Sequence, residues 1–122
     1  MNNFFSISGA ALTIIWGVAH LFPTNNVIKN FGEISEDNKR ILRMEWINEG
    51  LTLIFLGSVI IAAIIVKKID VVKFLSISVI VMLLSMSVLS LFTGVKNKFI
   101  VYKLCPIIFG LAAVCIAIGV LL

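Results

Sequence analysis

Residues 47–66, INEGLTLIFLGSVIIAAIIV, carry a single charged side chain, Glu49. A helix needs about 20 predominantly apolar residues to cross the hydrocarbon core of a bilayer, and this stretch has that length. Comparable runs cover roughly residues 4–22, 73–94 and 99–122. None of the runs alternates strictly between apolar and polar residues, as a membrane β-strand would. The sequence therefore predicts an all-α membrane protein with four transmembrane helices.

The composition supports a membrane protein with a single domain over residues 1–122. Hydrophobic residues make up 61% of the chain and charged residues only 13%, against about 25% charged residues in soluble domains. The net charge of +4 comes from basic residues that flank the apolar runs. No basic stripe is interleaved with aromatic residues, so we predict no nucleic-acid partner. Cys105 and Cys115 lie about 15 Å apart along one predicted helix, which excludes a disulfide between them.

The first connection is the longest and contains a signal for the start of a helix. Ser35 suits an N-cap, and Glu36 and Asp37 suit the first turn of a helix. No helix breaker follows, so we expect a helix that begins near Glu36 and runs into the second span. Residues 35–46 would then form an amphipathic segment at the membrane interface. Its headgroup-facing residues would be Lys39, Arg40 and Arg43, and its apolar residues Ile41, Leu42 and Met44.

The second and third connections are short, which favours an antiparallel four-helix bundle. Lys and Arg indicate its orientation, because these residues are enriched in cytoplasmic connections. One side of the membrane would carry Lys67, Lys68 and Lys73. The other side would carry Lys29, Lys39, Arg40, Arg43, Lys96, Lys98 and Lys103. We therefore expect a multi-pass protein of the cell membrane with both termini outside and with connections 23–46 and 95–98 in the cytoplasm.

The first span has a face of small residues. Gly9, Thr13 and Gly17 follow one another at intervals of four residues, and this spacing lets a second helix approach closely. Trp16 and His20 lie on the same face. The pattern predicts tight packing against another helix. Through such faces the chain could also associate with a second copy of itself or with a membrane protein partner, in addition to the lipid bilayer.

The ionisable residues near one end of the spans form the sharpest functional signal. His20 lies one turn before the end of the first run, and Glu45, Asn48, Glu49 and Thr52 share a face where the second run begins. Antiparallel neighbours would bring His20 and both glutamates to one membrane level. Tyr102 and Lys103 would reach the same layer. The candidate site residues are His20, Glu45, Glu49, Asn48, Trp16, Trp46, Tyr102 and Lys103.

Ionisable groups at that depth are costly and tend to mark function. Four interpretations stay open for the layer. His20, Glu45 and Glu49 could ligate a divalent metal, or Glu49 could relay protons. The layer could bind the polar head of a quinone or a lipid, or it could only fix the register of the helices. Trp16 and Trp46 could anchor the chain at the interface or stack on a ligand ring.

A family resemblance bears on these alternatives. A glycine-containing first helix and a long connection precede Glu45 and the pattern Glu49-Gly50-Leu51-x-Leu53-x-x-x-Gly57. Over the first half of the chain, this order resembles the small four-helix bacterial membrane proteins of the DoxX-like group. Some members resemble quinone-linked oxidoreductase subunits, so the resemblance implies a quinone as one ligand.

We found no nucleophile elbow, P-loop, dinucleotide fingerprint or HExxH motif in the sequence. The first prediction is therefore a small, non-enzymatic integral membrane protein with a cytoplasmic-side polar site at His20, Glu45 and Glu49. The alternatives are a quinone-binding membrane subunit of an oxidoreductase and an oligomeric carrier of protons or metal ions.

Overall fold

The computed structural model describes residues 1–122 and contains helices but no strands. Its helices are α1 (Asn3–Leu21), α2 (Thr24–Lys29), α3 (Glu36–Val66), α4 (Ile69–Thr93) and α5 (Ile100–Leu121). All except α2 are long and apolar enough to cross a membrane. The prediction of an all-α chain with four candidate spans is confirmed, and these helices are consistent with a multi-pass membrane protein.

Helix α3 is continuous through the predicted interfacial segment. The Ser35 side chain accepts a hydrogen bond from the backbone N–H of Asn38 at 3.2 Å, and Glu36 and Asp37 occupy the first turn. The expected start near Glu36 is thus confirmed. A helix of 31 residues is roughly 46 Å long, which exceeds the hydrocarbon core of about 30 Å. The helix is therefore longer than a membrane span, and its first turns can lie outside the hydrocarbon core.

The start of α4 corrects the predicted boundary. The helix begins at Ile69, whereas hydropathy placed its start at residue 73. Lys67 adopts a left-handed conformation with φ of 58°, so the chain reverses within two residues. Asp70 then lies in the first turn, where a carboxylate is favourable beside the positive end of the helix dipole. Hydropathy missed this turn because the charged residues Lys68, Asp70 and Lys73 surround its apolar residues.

The first connection contains a short helix, α2, that the sequence analysis did not predict. Proline has no N–H and cannot continue a helix, so α1 ends just before Pro23. The Thr24 hydroxyl donates to the carbonyl of Leu21 at 2.6 Å. Helix α2 packs on α3 and buries Ile28. With six residues, α2 is too short to produce a readable helical periodicity.

The small-residue face of α1 is used inside the chain. A Cβ atom on Gly17 would lie 2.7 Å from the carbonyl oxygen of Gly50 in α3, and one on Gly9 would lie 2.8 Å from that of Ala112 in α5. At the far end of α1, the backbone N–H of Asn2 donates to the carbonyl of Gly119 at 2.7 Å. In the structure, this face lies close to α3 and α5 of the same chain.

The most extensive helix contacts are those of α1 with α3, of α4 with α5 and of α1 with α5. Helix α4 packs mainly on α5 and only sparsely on α3. One bond that attaches it is from the Ser87 hydroxyl to the carbonyl of Pro106 at 2.8 Å. The largest fully buried apolar side chains are Leu53, Ile60, Val72, Leu83, Phe109 and Ile116. Because α3 and α4 make few contacts, a space is left between them near the end of α1.

Candidate functional site: a cleft between helices α3 and α4

His20 is held in place by Trp46. The last four carbonyls of a helix have no partner within it, and His20 provides one of them in the last turn of α1. The indole Nε1–H of Trp46 donates to this carbonyl at 2.6 Å. The two rings stack with centroids 3.8 Å apart and an interplanar angle of 16°. Trp46 therefore completes the end of α1 and orients the imidazole at the same time.

Glu49 lies one turn after Trp46 and reaches the same imidazole. The distance from His20 Nε2 to Glu49 Oε2 is 3.3 Å, so the structure brings these two side chains into contact. This contact is close enough for a charge interaction when the histidine is protonated, but its direction does not meet hydrogen-bond geometry. Nε2 thus has no hydrogen-bond partner, although His20 is only 3% exposed. Unpartnered buried polar atoms are rare in folded proteins.

A cleft of about 610 Å³ opens beside this pair, within the size range of small-molecule sites. Its polar part includes His20 and Glu49 together with Asn97 and Tyr102. Its apolar wall along α4 includes Met82, Met86 and Leu89. The stretch of α4 from Met82 to Thr93 extends the wall over about 16 Å. The cleft is therefore amphipathic, with a polar end at the level of His20 and an apolar end toward the middle of α4.

The charge of the lining is one-sided. Glu45 and Glu49 line the cleft, and His20 is its only basic side chain. None of the ten Lys and Arg residues of the chain lines it. A protein with a net charge of +4 thus has a cleft lined by carboxylates.

Two of the predicted site residues lie elsewhere. Lys103 is exposed and does not line the cleft, because a step of one residue on a helix turns it about 100° away from Tyr102. Trp16 packs against the apolar core, and its Nε1 is buried without a hydrogen-bond partner. The candidate residues that do line the cleft are His20, Glu45, Trp46, Asn48, Glu49 and Tyr102.

The predicted metal set is not assembled. No three His, Cys, Asp or Glu side chains come close enough together to hold a metal ion. Glu45 lies one turn before Glu49 and is exposed, so His20 and Glu49 alone form the close pair. The interpretation with a metal bound by His20, Glu45 and Glu49 is therefore corrected.

The sequence analysis missed the contribution of α4. Met82, Met86, Leu89, Ser90 and Thr93 all line the cleft. Counted from Met82, the other four come four, seven, eight and eleven residues later. All five therefore lie on one face of the helix. This periodicity was readable, but the apolar members were indistinguishable from lipid-facing residues without knowledge of the helix neighbours.

In comparisons with protein-family models, curated proteins and solved structures, none matched this chain.

Proposed function

We propose that this chain is a small, non-enzymatic integral membrane protein that binds a membrane amphiphile in the cleft between α3 and α4. The polar head of the amphiphile lies at His20 and Glu49, and its tail lies along Met82 and Met86. The observation that carries this proposal is the amphipathic cleft, with the buried His20 beside Glu49 at its polar end and methionines along its apolar wall.

The proposed membrane arrangement is an antiparallel four-helix bundle with both termini outside. Contacts between the start of α1 and the end of α5, such as Asn2 with Gly119, support it. The approach of Gly17 to Gly50 supports the same arrangement for α1 and α3. The larger number of basic residues in connections 23–46 and 95–98 supports a cytoplasmic location for these connections and for the polar end of the cleft.

Energetics favour a ligand over a purely structural cluster. A buried polar atom without a partner costs about 1–3 kcal/mol, and the contact with Glu49 does not supply the missing bond. A cluster that only fixes the helix register gains most when its members are fully bonded. A ligand head in the cleft would offset this cost by bonding to Nε2, and the methionines would adapt to its tail because their side chains are flexible.

Retention of amphiphiles during purification tests the proposal. The full chain is purified in a mild detergent, and its organic extract is analysed by mass spectrometry. A Met86→Trp variant fills the cleft, whereas Val88→Trp adds the same side chain on the opposite, exposed face of α4. We expect the wild type and the Val88 variant to retain an amphiphile in stoichiometric amount and the Met86 variant to lose it. Equal retention by all three proteins, or none in the wild type, would contradict the proposal.

A quinone-binding subunit of an oxidoreductase is the second candidate. The observation that favours it is the presence of His20 and Tyr102 in one cleft, since imidazole and phenol can both donate hydrogen bonds to quinone carbonyls. The same organic extract identifies a quinone by its absorption spectrum, and loss of that spectrum in Met86→Trp assigns it to the cleft. The DoxX-like resemblance and a proton relay through Glu49 stay predictions.

A further inference from the structure

The residues that line the cleft indicate the charge of the amphiphile that binds there. We propose that the ligand is a cationic amphiphile, with an ammonium head against Glu49, Trp46 and Tyr102 and an alkyl tail along α4. This inference rests on the proposed function and adds the charge of the ligand to it.

The charged side chains that line the cleft favour a cation. Phosphate and carboxylate heads are usually bound by Arg or Lys, and neither residue type lines this cleft. The lining instead contributes Glu45 and Glu49. Within a chain that has more basic than acidic residues, this selection favours a positively charged head and disfavours an anionic lipid.

Aromatic rings also line the cleft beside Glu49. Trp46 and Tyr102 are in edge-to-face contact, with centroids 5.7 Å apart and an interplanar angle of 74°. Because His20 stacks on one face of Trp46, the half-buried Tyr102 provides the more accessible ring. Ammonium groups bind to aromatic faces through the negative charge density of the ring, and a neighbouring carboxylate strengthens the attraction. The combination of Glu49 with an aromatic ring is suited to a cation.

The buried imidazole lies directly beside the proposed head site. His20 Nε2 has no hydrogen-bond partner and lies 3.3 Å from Glu49 Oε2. An imidazole nitrogen without a proton is a hydrogen-bond acceptor, and an ammonium N–H is a donor. A small movement of the Glu49 side chain on binding the head would let a primary ammonium donate to this nitrogen.

Three probes with one tail and different heads test the inference. The full chain in nanodiscs of zwitterionic lipid is titrated calorimetrically with decyltrimethylammonium, with its neutral isostere in which carbon replaces nitrogen, and with decyl sulfate. Empty nanodiscs give the background for partition into lipid. We expect saturable binding of the cation at least about tenfold tighter than that of either analogue, which corresponds to about 1.4 kcal/mol. The same titration with decylammonium, which can donate to His20, should also saturate.

Charge-neutral variants locate the binding. Glu49→Gln keeps the shape of the side chain and should weaken binding of the cation about tenfold. Glu36→Gln, on the same helix but outside the cleft, should leave it unchanged. Glu45→Gln provides a second test at the cleft if the Glu49 variant does not fold, and it too should weaken binding.

The outcomes separate this inference from the proposed function. Saturable binding in which the neutral isostere or decyl sulfate matches the cation would overturn the cationic ligand and leave an amphiphile site. Binding of the cation that is unchanged in both cleft variants would also overturn it. If no probe saturates above the background of empty nanodiscs, the amphiphile site fails together with the inference.

Discussion

Replacement of Trp46 by Phe should destabilise the fold through one identifiable hydrogen bond. The substitution keeps an aromatic ring against His20 but removes the Nε1–H that donates to the His20 carbonyl at 2.6 Å. That carbonyl belongs to the last turn of α1, and its bond to the indole is buried. A buried acceptor left without a partner costs about 1–3 kcal/mol. We therefore expect Trp46→Phe to lower the free energy of unfolding by about 2 kcal/mol beyond the loss caused by the smaller ring.

The chain contains a size-matched control for this prediction. Trp16 also has a buried Nε1–H, but its neighbour is the Cys105 sulfur, which is only a weak acceptor, so Trp16→Phe removes the same volume without breaking a bond to a carbonyl. Unfolding is measured by circular dichroism in mixed micelles of dodecylmaltoside and sodium dodecyl sulfate. The Trp46 variant should be less stable than the Trp16 variant by about 2 kcal/mol. Equal stability of the two variants, or greater loss in Trp16→Phe, would refute the proposed role of the indole.

Five further substitutions, two of them matched controls, test the packing and the turn before α4 in the same unfolding assay. Gly17→Ala puts a Cβ atom 2.7 Å from a carbonyl oxygen of α3 and should cost about 1–3 kcal/mol. In Gly110→Ala the new atom meets only a hydroxyl at 3.7 Å, so that variant should be neutral or slightly more stable. Ser87→Ala breaks the buried bond to α5 and should cost about 1 kcal/mol, whereas Ser85→Ala breaks only an exposed bond within α4 and should cost little. Lys67→Gly replaces a lysine in the left-handed conformation by a residue that adopts this conformation without strain. The variant should be more stable by up to about 1 kcal/mol. Reversal of either matched pair, or a loss of stability in Lys67→Gly, would contradict these assignments.

The predictable features of the fold were those with local chemical signals. The N-cap at Ser35 and the absence of a breaker after it gave the long helix α3. The interval between Gly9 and Gly17 gave a close-packing face, and the treatment of the first two runs as antiparallel neighbours placed His20 beside Glu49. Each of these inferences needed only a few neighbouring residues and the geometry of a helix.

The unpredicted features depend on which helices are neighbours and how closely they pack. The wall at Met82 and Met86 became recognisable only once α4 was seen to contact α3 sparsely. Hydropathy likewise could not separate Trp16, which packs on the core, from Trp46, which lines the cleft. Whether Lys103 lines the cleft depends on how α5 is rotated about its axis. A shift of one residue along this helix changes that rotation by about 100°.

Photocrosslinking of an amphiphile tests the central claim most directly. The probe is an alkylammonium with a diazirine at the end of its tail, added to the full chain in nanodiscs, and the labelled residues are identified by mass spectrometry. The account predicts label concentrated on the α4 wall at Met82 and Met86, suppressed by excess unlabelled alkylammonium and absent there in Met86→Trp. Label spread over the exposed face of α4 around Val88 and Phe92, unaffected by competitor, would contradict the account.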